Sequence, residues 1–401
     1  MRYMNHEEVE ILKTVVSGQQ LWRGMGEESF TSQFEDEFAH YFGRNYVYAV
    51  NSGTSANEGV LAGCAVEPQD EVICSPCSFI ASSLSVVALG AIPVFADVDP
   101  RTLLLTVEEI EKKITDRTKA IVVVHLFGQP MVMGPIVALA RKHNLYLIED
   151  CAQAYDAYCH GKKVGTFGDA ACFSLQQSKH ITTGEGGLIA TDEPEIYQRA
   201  VLYSNCGMPW YRYCLEAPAP APINDVPTRG HFTFGHNHRM SELQAAVGLI
   251  QLSKIDTFNQ QRKKLVEIIK GELEGESGFK MAHIYPDTKP NYWSYPIRLT
   301  EDTELSATAV SRRCEGKANI VSFHAYNDVN YLEQVFQDMH SRRSTSLGIP
   351  LPEYVSYAPG NCPKAEKAAQ KFFFLNVHHD VNPDFLRNTA RAIREVVRNN
   401  R

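Results

Sequence analysis

The chain has 44% apolar and 21% charged residues, which is typical of a globular protein, and its 401 residues are enough for one large domain and a smaller one. Its formal net charge of -8 and its scattered Lys and Arg residues leave no basic stripe for nucleic acid. No apolar run reaches the roughly 20 residues of a membrane span, and the first residues lack the apolar core of a signal peptide. A soluble, cytoplasmic protein is expected.

Ten cysteines are expected to be free thiols, because nothing in the sequence indicates export. Cys74 and Cys77 form one Cys-x-x-Cys pair, which could serve redox chemistry or half of a zinc site. A structural metal site normally needs four ligands, and no second pair occurs at matching spacing. The sequence therefore predicts no metal.

The first half of the chain alternates apolar strands with helices. Strands are predicted at 46–51, 71–75, 91–98, 120–127, 146–150, 170–175 and 187–191. Helices are predicted at 31–42, 58–65, 107–114 and 134–143. This α/β rhythm predicts a mostly parallel seven-stranded sheet covered by helices on both faces, with its ligand beyond the carboxyl ends of the strands.

A turn rich in glycine and hydroxyl residues, Ser52-Gly-Thr-Ser55, follows the first predicted strand. Backbone N–H groups and hydroxyls at the start of a helix can hold a phosphate. An ordinary Ser or Thr helix cap would have a similar sequence, so this turn alone does not identify a phosphate site.

The stretch from Ser174 to Gly187 joins two apolar strands through a polar, glycine-rich bend with one lysine, Lys179. Such a lysine is expected at the mouth of the sheet. Partial burial there would favour the neutral amine, which condenses with an aldehyde to form an imine. The alternative is a surface lysine in a turn.

Polar and aromatic residues close the neighbouring strands. Asp150 ends one strand, Phe79 follows another, and His125 ends a third. An aspartate in this position could be only a helix cap or an ion-pair partner. Beside Lys179 and the phosphate-holding turn, however, this set suits a flat, phosphorylated pyridine that carries an aldehyde.

The second half of the chain changes character. The Pro-rich segment 204–234 predicts an extended loop over the site or at a subunit contact. Ser241 and Gln244 have the spacing of a capping box and begin a long helical tract towards Glu274.

Two domains are expected, a large one of residues 1–254 and a smaller α+β one of residues 255–401. The smaller domain has a predicted strand at 292–299. It closes with a helix that Asn382 caps.

Four ordered motifs resemble the DegT/DnrJ/EryC1/StrS family of pyridoxal-phosphate-dependent sugar and cyclitol aminotransferases. They are Asn51–Asn57, Glu149–Gln153, Ser174–Gly187 and Gly235–Leu243, within a match that begins near Gly24 and ends in the final helix. The Ser-x-Gln-Gln-Ser-Lys form is similar to the branch that acts on cyclitols. The resemblance implies the fold type I architecture, with pyridoxal phosphate as cofactor and pyridoxamine phosphate as its aminated form.

The resemblance also implies roles for individual residues. Lys179 would bind the cofactor aldehyde as an imine and later move a proton, and Asp150 would pair with the pyridine nitrogen. Gln153 would lie by the ring hydroxyl, and Phe79 would stack on the ring face.

Small polar residues would bind the cofactor phosphate: Gly53, Thr54, Ser55 and Ser174. Asn237 would reach the phosphate from the neighbouring subunit, which implies a homodimer with a composite site. Four further residues would contact the substrate: His180, His236, His238 and Arg239. His236 and His238 stand where the family often has aromatic residues, and for His180 a packing role is the alternative.

The resemblance implies transfer of an amino group from glutamate or glutamine to a keto or aldehydo sugar or cyclitol. One alternative is a sugar dehydratase with the same cofactor, although family members of that kind replace the lysine with histidine. Another is a non-catalytic cofactor-binding regulator, although this sequence lacks the basic helix pair of a DNA-binding domain. The acceptor stays open, because its contacts lie on variable loops.

Overall fold

The computed structural model describes residues 4–24, 26, 28–213, 230–314, 320–322, 329–345 and 348–400. Residues 214–229, which include the Ala-Pro run of the predicted loop, lie outside the described residues. None of the described helices is long and apolar enough to cross a bilayer. The nine cysteines of the described part, Cys74 and Cys77 among them, are free thiols.

Fourteen strands occur in the described residues. They are β1 Tyr46–Val50, β2 Glu71–Cys74, β3 Ile92–Phe95, β4 Thr118–Val124, β5 Tyr146–Asp150, β6 Tyr158–Cys159, β7 Lys162–Lys163, β8 Ala170–Ser174, β9 Gly187–Thr191, β10 Phe279–Met281, β11 Thr288–Lys289, β12 Ser294–Leu299, β13 Ile320–Ser322 and β14 Phe372–Asn376. Seven of them form the main sheet in the order β1-β9-β8-β5-β4-β2-β3. β9 is antiparallel to both its neighbours, whereas the other adjacent pairs are parallel. The predicted mostly parallel, seven-stranded α/β sheet is confirmed.

Thirteen α-helices accompany these strands in the described part of the chain. They are α1 His6–Gly18, α2 Phe30–Phe42, α3 Gly53–Gly63, α4 Ala81–Ala88, α5 Val107–Glu111, α6 Met133–Lys142, α7 Pro194–Ser204, α8 Glu242–Ser253, α9 Ile255–Leu273, α10 Ala307–Arg313, α11 Gln334–Arg342, α12 Pro363–Ala369 and α13 Pro383–Arg398. The capping box of Ser241 and Gln244 is present at the start of α8. The tract that follows is two helices, because the chain turns at Lys254 between α8 and α9.

Helix α3 begins five residues before its predicted start. Ser52 is its N-cap, and the Ser52 Oγ accepts a hydrogen bond from the N–H of Ser55 at 3.0 Å. The glycine- and hydroxyl-rich turn is therefore the first turn of the helix rather than a separate loop. Its N–H groups point out of the helix start, as an anion site requires.

A second sheet, in the order β10-β12-β14-β13, is antiparallel and packs against α9 and α13. A short sheet of β11, β6 and β7 completes the strand pairing. Tyr331, Phe336 and Tyr357 belong to the core of the main sheet, so the last third of the chain contributes to both cores. The division of the chain after residue 254 stays a prediction.

Candidate active site

A cavity of about 440 Å³ lies at the carboxyl edge of the main sheet. The last residues of three strands line it: Val124 of β4, Asp150 of β5 and Ser174 of β8. Seven of the predicted site residues line this one cavity: Gly53, Thr54, Phe79, Asp150, Gln153, Ser174 and Lys179. Their placement follows the rule that ligands bind beyond the carboxyl ends of parallel strands.

Lys179 is buried, with 9% of its surface exposed, and its Nζ lies 4.6 Å from the centroid of the Trp293 ring. No residue of the described part accepts a hydrogen bond from this amine at normal length. Burial lowers the pKa of Lys179 to about 8, although the nearby Asp150 carboxylate opposes this effect. The amine is therefore neutral in mildly alkaline solution and can act as a nucleophile.

Asp150 is held in place by three donors at the end of β5. Its Oδ1 accepts from the N–H of Ala152 at 3.0 Å, and its Oδ2 accepts from the Ser82 hydroxyl at 2.7 Å and the Asn57 amide at 3.4 Å. Only 5% of the residue is exposed. A carboxylate fixed in this way can pair with a protonated ring nitrogen in the cavity.

The start of α3 meets the end of β8 at the other side of the cavity. A Cβ at position 53 would lie 2.7 Å from the Cβ of Ser174, so only glycine fits there. The Ser174 hydroxyl consequently lies beside the first turn of α3, where the N–H groups of Gly53 and Thr54 have no intrahelical acceptor. These groups have the geometry that can hold a phosphate.

The remaining predicted ligands of the ring also line the cavity. Phe79 is 49% exposed although it is a large apolar residue, and its ring can stack on a planar group in the cavity. The Oε1 of Gln153 accepts a hydrogen bond from the N–H of Phe127 at 2.7 Å, which fixes the orientation of the amide. An anion site, an aromatic face, a carboxylate and a buried amine thus surround one cavity, and they fit pyridoxal phosphate.

Two predicted residues occupy other positions than expected. Ser55 does not line the cavity, because its hydroxyl donates to the Oδ1 of Asn51 at 2.7 Å. His180 has no exposed surface, and its Nε2 lies 3.0 Å from the main-chain oxygen of Asn291. Burial lowers the pKa of His180 well below its usual value, so the ring is neutral and Nε2 is the donor. The packing role is the one that these contacts support.

The segment from residue 236 to residue 239 also lies outside the cavity of its own chain. His236 and His238 stack with ring centroids 5.1 Å apart, and the Nε2 of His238 lies 3.7 Å from Glu58. Arg239 donates to Asn205 at 2.8 Å, and Asn237 is exposed. A direct substrate contact of these side chains within one subunit is therefore not supported.

Ser52, which belongs to the predicted phosphate-holding turn, also lines the cavity. Nine further lining residues were not predicted as site residues: Asn57, Ala81, Ser82, Val124, Ala152, Gln176, Ser178, Glu185 and Trp293. Several of these belong to the motifs quoted above and could have been inferred from them. Ser82 and Trp293 carried no signal, because only the folded chain brings them to Asp150 and Lys179.

His125, Glu149 and Cys151 form a buried group with atoms close enough to hold a metal ion. The contacts favour a satisfied hydrogen-bond network instead. Glu149 accepts from His125 at 3.1 Å and from the N–H of Gly165 at 2.8 Å, Phe167 at 2.7 Å and Gly168 at 2.8 Å. The other nitrogen of His125 accepts from the N–H of Met131 at 3.1 Å. The network anchors β5 beside the site.

Comparison with known proteins gives three kinds of relatives. The model of the DegT/DnrJ/EryC1/StrS aminotransferase family matches residues 2–394. The chain is 34% identical to L-glutamine:2-deoxy-scyllo-inosose aminotransferase of Streptomyces lividus over an alignment of 379 residues, and this alignment covers 93% of this chain and 87% of that protein. It is 40% identical over 275 residues to GDP-perosamine synthase of Caulobacter vibrioides, covering 68% of this chain and 70% of that protein. The solved structure of an aminotransferase from Psychrobacter cryohalolentis is 31% identical, with a TM-score of 0.84 over 99% of this chain and 98% of that chain.

Proposed function

The chain belongs to the DegT/DnrJ/EryC1/StrS aminotransferase family, and from this premise we propose that it transfers an amino group to the keto group of a sugar or cyclitol. Enzymes of this family depend on pyridoxal phosphate, and so does this one. The observation that carries the proposal is the placement of the buried Lys179 amine, Asp150 and the start of α3 around one cavity.

When bound, pyridoxal phosphate supplies an aldehyde that takes up amino groups and a ring that withdraws electrons. Lys179 would hold the aldehyde and, when its amine is free, move a proton to and from the substrate carbon. Asp150 would keep a proton on the ring nitrogen. Gly53, Thr54 and Ser174 would hold the phosphate, and Phe79 would cover one ring face.

We further propose that the donor is glutamine or glutamate. The scyllo-inosose aminotransferase of Streptomyces lividus is named as glutamine-dependent, and its similarity covers 93% of this chain. The same relative supports a keto-cyclitol as the first acceptor to test, and the perosamine synthase supports a nucleotide-linked keto sugar as the second. An aldehyde-bearing sugar is the third acceptor to test, because an aldehyde can accept an amino group in the same way as a ketone.

The dehydratase alternative is not favoured, because the lysine is retained and the named relatives are aminotransferases. The relatives are also enzymes, so the non-catalytic regulator is not favoured either. A cytoplasmic location stays a prediction.

We also propose a homodimer with a composite site. Asn237 is exposed and does not line the cavity of its own chain, as expected of a residue that acts on a neighbouring subunit. The stack of His236 and His238 beside it would then reach the partner's acceptor rather than the acceptor of its own chain.

The decisive experiment incubates the purified protein with pyridoxal phosphate, glutamine or glutamate, and a panel of keto-cyclitols and nucleotide-linked keto sugars. We expect an aminated product in amounts equal to the amino donor consumed. Product that forms without consumption of a donor would instead establish dehydration. The proposal would be contradicted if the protein binds the cofactor but converts none of the acceptors.

A further inference from the structure

The two residues that flank Lys179 are hydrogen-bonded to segment 291–293, and Lys179 itself is hydrogen-bonded to a residue of α9. The indole Nε1 of Trp293 donates to the main-chain oxygen of Ser178 at 2.7 Å, and His180 donates to the main-chain oxygen of Asn291 at 3.0 Å. Between them, the main-chain oxygen of Lys179 accepts from the Nη2 of Arg262 at 3.0 Å.

Arg262 makes a second contact of the same kind. Its Nη1 donates to the main-chain oxygen of Trp293 at 3.2 Å, so one guanidinium joins the main chains of Lys179 and Trp293. Arg262 lies on α9, and only 1% of its surface is exposed. A planar fork with two donors can make this double contact, whereas the single ammonium group of a lysine cannot reproduce its geometry.

We propose that Arg262 is a positioning residue for Lys179, because its fork holds the lysine main chain against Trp293 and thereby places the amine over the indole ring. The inference rests on the proposed role of Lys179 as the residue that binds the cofactor. It concerns the chain itself, so it can be tested on the cofactor-free protein.

The positive charge of Arg262 also favours a nucleophilic amine, because it lowers the pKa of Lys179. Charged groups face the Lys179 amine from three elements: Asp150 on β5, Glu185 in the bend before β9, and Arg262 on α9. Burial lowers the pKa of the amine most, the two carboxylates raise it, and the guanidinium lowers it. The neighbouring His180 and His378 are neutral, because burial lowers the pKa of each, that of His378 to about 2. The Arg262 guanidinium thus disfavours protonation of the Lys179 amine.

The first measurement separates protonation from placement. The cofactor-free protein is methylated with formaldehyde and cyanoborohydride over a pH series, and the extent at Lys179 is read by peptide mass spectrometry. We expect a midpoint near 8 in the wild type. In Arg262→Met the midpoint should rise by about one pH unit, since a like charge is removed. Lys263→Met, which removes an exposed charge from the next position on α9, should leave it unchanged.

The second measurement follows the rate of covalent capture of pyridoxal phosphate, which is trapped with borohydride. It is made at a pH above the methylation midpoints of the wild type and of Arg262→Met, so that the Lys179 amine is neutral in each protein. We expect Arg262→Lys, which keeps a charge but loses the fork, to capture the cofactor about tenfold more slowly. Trp293→Phe keeps an aromatic ring but loses the indole N–H, and it should also capture the cofactor more slowly than the wild type. Thermal melting reports the folding of each variant, and Arg262→Lys and Trp293→Phe carry the test if Arg262→Met does not fold.

Folded Arg262 variants with the midpoint and capture rate of the wild type would overturn the inference. Lys179→Ala distinguishes this result from failure of the proposed function. If Lys179→Ala still captures the cofactor covalently at the active site, the role of Lys179 itself is wrong. If it does not, and the Arg262 variants match the wild type, only the positioning role of Arg262 is wrong.

Discussion

The hydroxyl of Ser82 donates a hydrogen bond of 2.7 Å to the Oδ2 of Asp150, across 68 positions of sequence. The contact fixes the carboxylate that closes β5 from the first turn of α4. We expect Asp150→Asn to lower turnover by about 100-fold or more, because a neutral amide cannot hold a proton on the ring nitrogen. Ser82→Ala keeps the charge and should have a much smaller effect. Steady-state kinetics with cofactor binding as a control would check this, and near wild-type turnover in Asp150→Asn would contradict it.

Replacement of the reactive lysine gives a spectroscopic prediction. Lys179→Ala should lose the borohydride-trapped cofactor completely, since no other amine lines the cavity in the described part of the chain. Lys142→Ala is the matched control, because its side chain is 63% exposed. Absorbance of the reduced, denatured protein measures the attached cofactor. Cofactor that remains attached to the same peptide in the alanine variant would refute the assignment.

The contact between Gly53 and Ser174 predicts a steric effect with a partial rescue. A Cβ at position 53 would lie 2.7 Å from the Cβ of Ser174, so Gly53→Ala should lower the free energy of unfolding by roughly 1–3 kcal/mol. Ser174→Gly removes the opposing Cβ and should restore stability in the double variant. It should not restore affinity for the phosphate, since the hydroxyl is also lost. Urea unfolding and cofactor titration separate the two effects, and equal stability of Gly53→Ala and the wild type would exclude the clash.

The pKa of Lys179 predicts how stability depends on pH in the cofactor-free protein. The folded-state pKa is about 8, below the value of 10.5 expected of an unpaired lysine. Between these values the unfolded chain binds the additional proton, so the stability of the folded state rises with pH in that window. Below about 8 the full cost of a buried charge remains. Lys179→Met should therefore be more stable than the wild type at neutral pH by up to a few kcal/mol, and the difference should shrink towards about pH 10. Parallel stability curves for the two proteins would rule this out.

The proposed homodimer with a composite site predicts complementation between inactive variants. Lys179→Ala and Asn237→Ala should each be defective alone, because each removes a group from both sites of a homodimer. After the subunits are mixed and exchanged, half of the dimers would be hybrids with one intact site, which restores about a quarter of wild-type activity. Each variant mixed with itself is the control. Failure of the hybrids, once their formation is verified by mass spectrometry, would argue that Asn237 acts within its own subunit.

The order of the main strands along the chain and the polar residues at their ends follow from local sequence patterns. Buried parallel strands are short apolar runs, and the residues that close them must lie at one edge of the sheet, so Asp150, Ser174 and Gln153 could be placed together. The boundaries of the helices are harder to predict from the sequence. The start of α3 at Gly53 depends on a cap by Ser52, which the sequence alone could not distinguish from a separate turn.

Local sequence patterns are enough to predict which chemical groups meet at the cavity: an amine, a carboxylate, hydroxyls and an aromatic ring, each at the end of a recognisable strand or motif. The contacts that orient these groups and set their protonation become visible only in the folded chain. Arg262 lies 83 positions from Lys179 and bonds to its main chain, and Trp293 lies 115 positions from Ser178. The physical reason is that strand periodicity is a local property, whereas desolvation of an amine and orientation of its main chain depend on side chains from distant segments that meet only on folding.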